Sequence, residues 1–571
     1  MAVFFNGQLL VTPTTASAVN DDAMRNQNLS VGNVAAFVGK SAGGKPKTAL
    51  RFGNPNEARR VLRSGELLDA VLKAFSPSAQ TGGPQEVVVV RVQPALQSTL
   101  DLKDSADKVI IKLTSTGYGI GENQLKVRIE DGSLTGKRLT TQLGSAYYSN
   151  DNVGRTAFTV QYDGAAAAAT LDVTADTVSI TVDAASTVEI PLVEFSTVEA
   201  LVDRINSIPD FIATVEDRSH AKPTLNALDF VAAADVKAGP LAVKADLQAV
   251  IDWFNGAGEG YVSAERVADA GTAPANIPFT FLEGGSDGLT TQTDWSDAFD
   301  ALQTVDVQWL TPISGEASIR VMADTHAHFC SNQLRRERRC IVGMPEGSTD
   351  EEALQAAREL GSDRTSLVHL GYYDYDLTGK LVLFPPYQTA ALIAGAFSGV
   401  SPGTALTNKT ISVRGLERDL VNPTDTDPLI RGGVLCVENT EQGYKVVQSI
   451  STWLANDNYN RVEQSTGAAL DFTCRNVRNA IDALRGQKGN GLALSRAISI
   501  TDSVLRELAR EEPQGPGVLA GDATHPPYRN ITATIEGDVI RVEFECSPCI
   551  PLNYVLATIY AVPYSGSASA A

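Results

Sequence analysis

The apolar pattern of this chain changes period twice, and that change constrains the fold more than any motif does. "EVVVVRV" (86–92) is an uninterrupted apolar run of strand length, the pattern of a strand buried on both faces. Between about 107 and 215 the apolar residues alternate instead, as in Leu125/Val127/Ile129, Phe158/Val160/Tyr162, Leu171/Val173 and Val178/Ile180/Val182, with turn residues between them. A β-sandwich-like insertion is predicted there. From about 228 to 400, helices and strands follow one another as in an α/β layered domain. The spacing predicts a helix near 245–256, strand 305–310, helix 316–338, strand 340–344, helix 350–360 and strands 365–370 and 380–384. The helix at 350 opens with a Thr349 to Glu352 capping box. Upstream, Ser64 and Glu66 mark the start of a helix whose stripe is Leu67, Leu68, Val71, Leu72 and Phe75.

The remainder reads as an α+β C-terminal part: a strand, helices 466–485 and 501–511, "NITATIEGDVIRVEFEC" and a last strand from Tyr554 to Val562. The chain has 571 residues, and a prior of about 150 per domain gives roughly three or four domains. The expected division of this α+β multidomain chain is an arm at 1–30, an α/β part at 31–106 and the β-sandwich insertion at 107–227. An α/β layered domain at 228–432, a C-terminal domain at 433–553 and an arm with a flexible tail at 554–571 complete it.

Lys plus Arg is 47 against Asp plus Glu 67, a net charge of -20 that repels phosphate backbones and anionic lipid surfaces. Nucleic acid is therefore not an expected partner. The N-terminus has no basic n-region, and the longest apolar run, 389–400, falls short of the ~20 residues a membrane span needs. A soluble, unsecreted protein with no membrane insertion is the expectation. The 6 Cys give no disulfide framework and suit a reducing compartment.

Four stretches imitate catalytic or ligand-binding motifs. "GKSAGGKP" has Gly39, Gly44 and Lys45 at phosphate-loop spacing, but Pro46 supplies neither the Mg²⁺-holding hydroxyl nor an N–H, and no helix follows. "GVSPG" (399–403) has nucleophile-elbow spacing, yet Pro402 lacks the oxyanion-hole N–H. In "THAHFC", His326 and His328 point about 200° apart on a helix, which leaves His326 and Cys330 as two ligands where zinc needs more. The following "RRERR" (335–339) reads as a solvated helix end. "CSPC" (546–549) continues a strand alternation and opens no helix, unlike redox C-x-x-C motifs. No catalytic residue, cofactor or metal site is expected.

"GKPKTALRFGNPNEARRVLRSGELLDAVLKAFSP" with "EVVVVRV", then "FLEGGSDG" (281–288), "RRERRCIVGMPEG" (335–347) and "PPYQTAALIAGAFSGVSPGTALTNKTI" (385–411), resembles in order and kind the contractile bacteriophage tail sheath proteins. The resemblance implies a central domain with a subtilisin-like fold and no protease chemistry. It also implies a structural subunit that polymerises helically, as stacked rings of itself, around an inner tail tube. The tube is then driven through the host envelope by contraction. Baseplate and tail terminator proteins are implied as further partners, and the virion tail, assembled in host cytoplasm, as location. The sheath of a related bacteriocin or secretion machine is an alternative, and an α/β enzyme a more distant one.

Within that frame, Val3, Phe4, Phe5, Leu9 and Val11 are expected to form an extended inter-subunit arm. Tyr554, Leu556, Ile559 and Val562 would form a second, C-terminal linking strand. Arg475, Arg478, Arg485 and Lys488, on and after helix 466–485, are candidates to face an acidic tube.

Overall fold

Alternate residues of the strand Val34–Gly39 enter two different cores. Ala35 and Phe37 pack with Leu67, Val71, Ile393 and Phe397, whereas Val34, Ala36 and Val38 pack with Trp295, Phe299, Ile319 and Ala353. A strand that is apolar on both faces needs helices on both, and this one has them. Glu66–Phe75 and Pro386–Gly399 cover one side of the sheet; Gln292–Leu302, Ala317–Asn332 and Asp350–Leu360 cover the other. The computed structural model describes residues 3–5, 8–10, 34–183, 186–216, 228–257, 260–267 and 270–563.

The sheet has 7 strands in the order Val434–Leu435, Thr365–Val368, Arg339–Gly343, Trp309–Pro312, Val34–Gly39, Glu86–Arg91 and Ala49–Phe52. Neighbours are parallel except the last, which is antiparallel. The α/β part at 31–106 and the α/β domain at 228–432 therefore share one sheet, and its outer strand lies beyond 432. A boundary drawn by chain position separated strands that hydrogen bonds join.

Local signals fix several helix ends. Thr349 Oγ1 accepts from Glu352 N at 3.3 Å while the Glu352 carboxylate accepts from Thr349 N at 2.9 Å, and Gly361 ends the helix at φ 48°. The helix Glu66–Phe75 starts from Gly65 at φ 108° with no side-chain cap, so Ser64 does not cap it. It meets Pro386–Gly399 very closely: a Cβ on Gly395 would lie 2.6 Å from the Ala74 carbonyl oxygen.

The insertion is larger than 107–227 and consists of two lobes. In one, Val262–Arg266, Val109–Ser115 and Thr99–Lys103 form a sheet that packs against Ala146–Val153, Lys137–Leu143, Leu125–Asp131 and Ile277–Phe281. The other joins Phe211–Val215, Thr156–Tyr162 and Leu241–Lys244 to Ser186–Pro191, Thr177–Val182, Ala169–Val173 and Val231–Asp235, with helix Val198–Asn206 on its core. Strands 262–266 and 277–281 pair with partners some 150 residues upstream. The helix Asp246–Asp252 buries Leu247 and Val250 in the first lobe, away from the central domain. Entry and exit are clipped together where Leu96 N donates to Ser286 O at 2.7 Å.

Candidate assembly surfaces

The helix Gln464–Ile481 carries Asp471, Arg475 and Arg478 at i, i+4 and i+7, one face of alternating sign. That face closes onto the central domain. Asp471 accepts from Arg339 Nε at 3.0 Å and, in bidentate fashion, from Arg364 at 3.0 and 3.2 Å. Arg475 donates to Asp306 at 2.9 Å and to the Glu337 carbonyl, and Arg478 pairs with Glu337. Arg339 Nη1 also reaches Gln464 Oε1 at 2.8 Å, and Gln464 Nε2 reaches Ser366 Oγ at 2.9 Å. The guanidinium lies against Gly467, where a Cβ would come within 2.0 Å of Arg339 Nη2.

This clasp changes two expectations. "RRERR" is not a solvated helix end: the helix stops at Asn332, and Glu337, Arg338 and Arg339 are buried. Glu337 and Arg339 find partners 132–141 residues later in sequence, and Arg338 donates to His326 and to the Leu302 and Val305 carbonyls earlier in the chain, which no local reading reveals. Arg475 is buried as well, and Arg478 is committed to Glu337, so neither is free to face a tube. Arg485, 78% exposed and paired with Asp482 at 2.6 Å, and the exposed Lys488 remain on the surface. Asp471 and Arg364 went unnoticed from sequence, and Arg339 was read only as part of the solvated run; the Asp-x₃-Arg-x₂-Arg spacing on one helix face was the available signal.

At the C-terminus the last anchor is Asn553, whose side chain accepts from Thr407 at 3.1 Å and donates to Glu463 at 3.4 Å. From Tyr554 to Val562 there is no strand, contrary to the sequence pattern, and Tyr554, Leu556, Ile559 and Val562 are 81–93% exposed. A β-competent segment is left without a strand partner among the described residues. Nearby, Tyr528–Glu536 and Val539–Cys546 form a sheet of 2 strands with both outer edges unpaired among the described residues. At the other end of the chain, Val3–Phe5 and Gln8–Leu10 pair as a hairpin, Phe4 opposite Leu9, which replaces the expected extended arm at those residues. Val11 lies outside the described residues.

The motif-like stretches have structural roles. Gly44 adopts φ 94° in a turn, and Arg91 donates to its carbonyl at 3.2 Å. Ser401 donates to Glu512. His326 accepts from Arg338 Nη1 at 3.0 Å, with Cys330 Sγ 3.5 Å from the same nitrogen. Burial, reinforced by the adjacent guanidinium, pushes the His326 pKa down to about 3. Cys546 ends a strand, and Cys549 Sγ donates to Gly517 O at 2.9 Å. Among the described residues no three His, Cys, Asp or Glu side chains gather as metal ligands, and no helix is long and apolar enough to cross a membrane.

No protein-family model matches the chain. It is 28% identical over 587 residues to the tail sheath protein of Bacillus phage SP01, covering 99% of this chain and 98% of that one. A putative tail sheath protein of Enterococcus phage phiEF24C is 28% identical, with 95% of each covered. The tail sheath protein of Staphylococcus phage Twort is 22% identical over 92% of this chain and 93% of its own. Among solved structures, the sheath tail protein Lin1278 of Listeria innocua shares the fold at TM-score 0.56 and 13% identity, covering 92% of this chain and 96% of its own. A sheath tail protein of Desulfitobacterium hafniense does so at TM-score 0.51 and 12% identity, over 95% and 100%. Over nearly its full length the chain is thus similar in sequence to contractile phage tail sheath proteins, and it shares the mixed α+β multidomain fold of the solved sheath tail proteins.

Proposed function

We propose that this chain polymerises helically around an inner tail tube and contracts to drive that tube through the host envelope. The observation that carries the reading is the segment Tyr554–Val562. Nine residues with strand propensity stand in water with large apolar side chains exposed, and the two-stranded sheet 528–546 that precedes them in the chain has both outer edges unpaired among the described residues. Such a segment is an aggregation hazard unless a neighbouring copy pairs with it. About six to eight added ladder hydrogen bonds at roughly 0.5–1.5 kcal/mol each hold one copy to the next while the bodies move. The N-terminal hairpin, with Val3, Phe4, Phe5 and Leu9, serves as the second link.

In this reading the seven-stranded body corresponds to the subtilisin-like sheath domain, without protease chemistry or cofactor. Of the expected domain 433–553, the part that follows the sheet's edge strand Val434–Leu435 is tube-proximal, with Arg485 and Lys488 as its cationic contacts. Baseplate and terminator proteins cap the polymer, which is assembled in host cytoplasm. Truncation after Asn553 tests the reading. Electron microscopy of the full chain should show hollow striated cylinders, and the truncated chain should stay monomeric with an unchanged cooperative melt. Cylinders of normal length from the truncated chain would overturn the linking role.

A further inference from the structure

One solvent face of the insertion is built unlike the rest of this acidic chain. In the sheet of Ala146–Val153, Lys137–Leu143, Leu125–Asp131 and Ile277–Phe281, the inward residues Leu125, Val127, Ile129 and Leu139 are buried in the lobe core. The alternate residues therefore form the outer face. Register aligns them into a cross-strand row: Phe281 opposes Lys126, Lys126 opposes Gln142, and Gln142 opposes Tyr147. A second row runs beside it through Arg128, Thr140 and Ser149. With strands about 4.8 Å apart, the four-strand row is about 14 Å long and the three-strand row about 10 Å.

The cations in these rows are held by rings. Lys126 Nζ lies 4.9 Å from the centroid of Phe279 and 5.6 Å from that of Phe281, and the Arg128 guanidinium lies 4.7 Å from Phe279. Such stacking fixes long side chains that would otherwise wander, so their charges are presented in place. Phe281 is 48% exposed and Tyr147 53%, which leaves an aromatic surface at each end of the first row. Arg138, exposed on the central strand, adds a third cation, while two carboxylates lie among them: Glu130, which pairs with Arg128 at 3.2 Å, and Asp151, whose charge interacts with Arg138.

We propose that this face binds an anionic polysaccharide, a linear sugar polymer bearing carboxylate or phosphate groups. The flat end rings suit stacking against sugar faces, the Gln142 amide suits sugar hydroxyls, and Lys126, Arg128 and Arg138 suit the anions, while the buried Thr140 hydroxyl and Ser149 Oγ, 2.9 Å apart, bond to each other. Charge complementarity selects an anionic ligand over a neutral one. Single-stranded nucleic acid is the less suitable polyanion: its dense phosphates need a continuous basic stripe, which this face, with three cations interrupted by carboxylates and neutral groups, does not supply. The rest of the chain, at net charge -20, adds repulsion that grows with the ligand's charge density. The inference stands apart from the sheath reading, since it concerns only the insertion.

The test uses the full chain and affinity electrophoresis in gels containing polygalacturonate or a ribitol-phosphate teichoic acid, with dextran and poly-dT as controls. The two acidic polymers distinguish carboxylate from phosphate as the recognised group. At least one should retard the protein roughly tenfold more strongly than dextran or poly-dT, an effect weakened by salt. Lys126→Gln, and separately Tyr147→Ala with Phe281→Ala, should each reduce retardation about tenfold at an unchanged melting temperature. If the double variant melts early, Lys126→Gln and Arg138→Gln carry the test alone. Absence of retardation by both acidic polymers, equal retardation by dextran or poly-dT, or folded variants that bind like the parent would each overturn the proposal.

Discussion

Asp471 and Arg339 lie 3.0 Å apart across the joint between the C-terminal helix and the central sheet, and Arg364 takes both oxygens of the same carboxylate. One acidic residue thus neutralises two largely buried guanidiniums.

Replacing Asp471 by Asn should leave both cations without a counter-charge. Breaking a buried pair from one side costs about 3–5 kcal/mol. Denaturant unfolding should show that loss for Asp471→Asn, whereas Asp306→Asn, which removes the half-exposed partner of Arg475, should cost under about 1 kcal/mol. Equal effects would show that the clasp is not organised around Asp471.

Gly395 should tolerate no side chain. The Ala74 backbone occupies the space a Cβ would fill, so Gly395→Ala must push two helices apart in a packed core, at roughly 1–3 kcal/mol or more. Gly53→Ala, where nothing lies within 4 Å, is the matched control. Calorimetry should show a lower transition temperature for the first and no change for the second.

His326 should make the protein acid-sensitive. Its folded pKa, about 3, is below the ordinary 6.5, so its stabilising contribution is complete above pH 6.5 and is lost as pH falls toward 3. At pH 5 the loss is about 2 kcal/mol. Asp69 and Asp229, raised to about 6 chiefly by burial, act oppositely, and stability from them falls as pH rises from about 4 to 6. The difference between the parent and His326→Gln, measured at pH 7 and pH 5, isolates the histidine: the parent should lose about 2 kcal/mol more than the variant.

Charge reversal should separate surface arginines from clasp arginines. Arg485→Glu with Lys488→Glu should weaken co-sedimentation with the tube protein, more so at low salt, and leave the melt unchanged. Arg475→Glu should lower the melt itself, because its side chain sits beside Glu337 in the buried joint. A tube-binding defect without a stability defect at Arg475 would restore it as a tube contact.

Legibility followed the range of the interactions. The capping box at Thr349 and the doubly buried valines of 86–91 are local signals, and the structure realises both. Strands Val262–Arg266 and Ile277–Phe281 were hidden because their partners lie far upstream and a helix intervenes. The arginine run 335–339 looked solvated because its counter-ions come from another element. Tyr554–Val562 has the composition of a strand, but a strand is a relation between two segments, and the described chain holds only one of them.

The clip between Leu96 and Ser286 has a mechanical meaning. Because the two ends of the insertion are joined at its root, a pull applied across the seven-stranded body bypasses the insertion, like current past a branch that returns to its own node. The two lobes are side loads rather than links in series. They are free to vary in sequence, size or surface chemistry without altering the path along which force crosses the body.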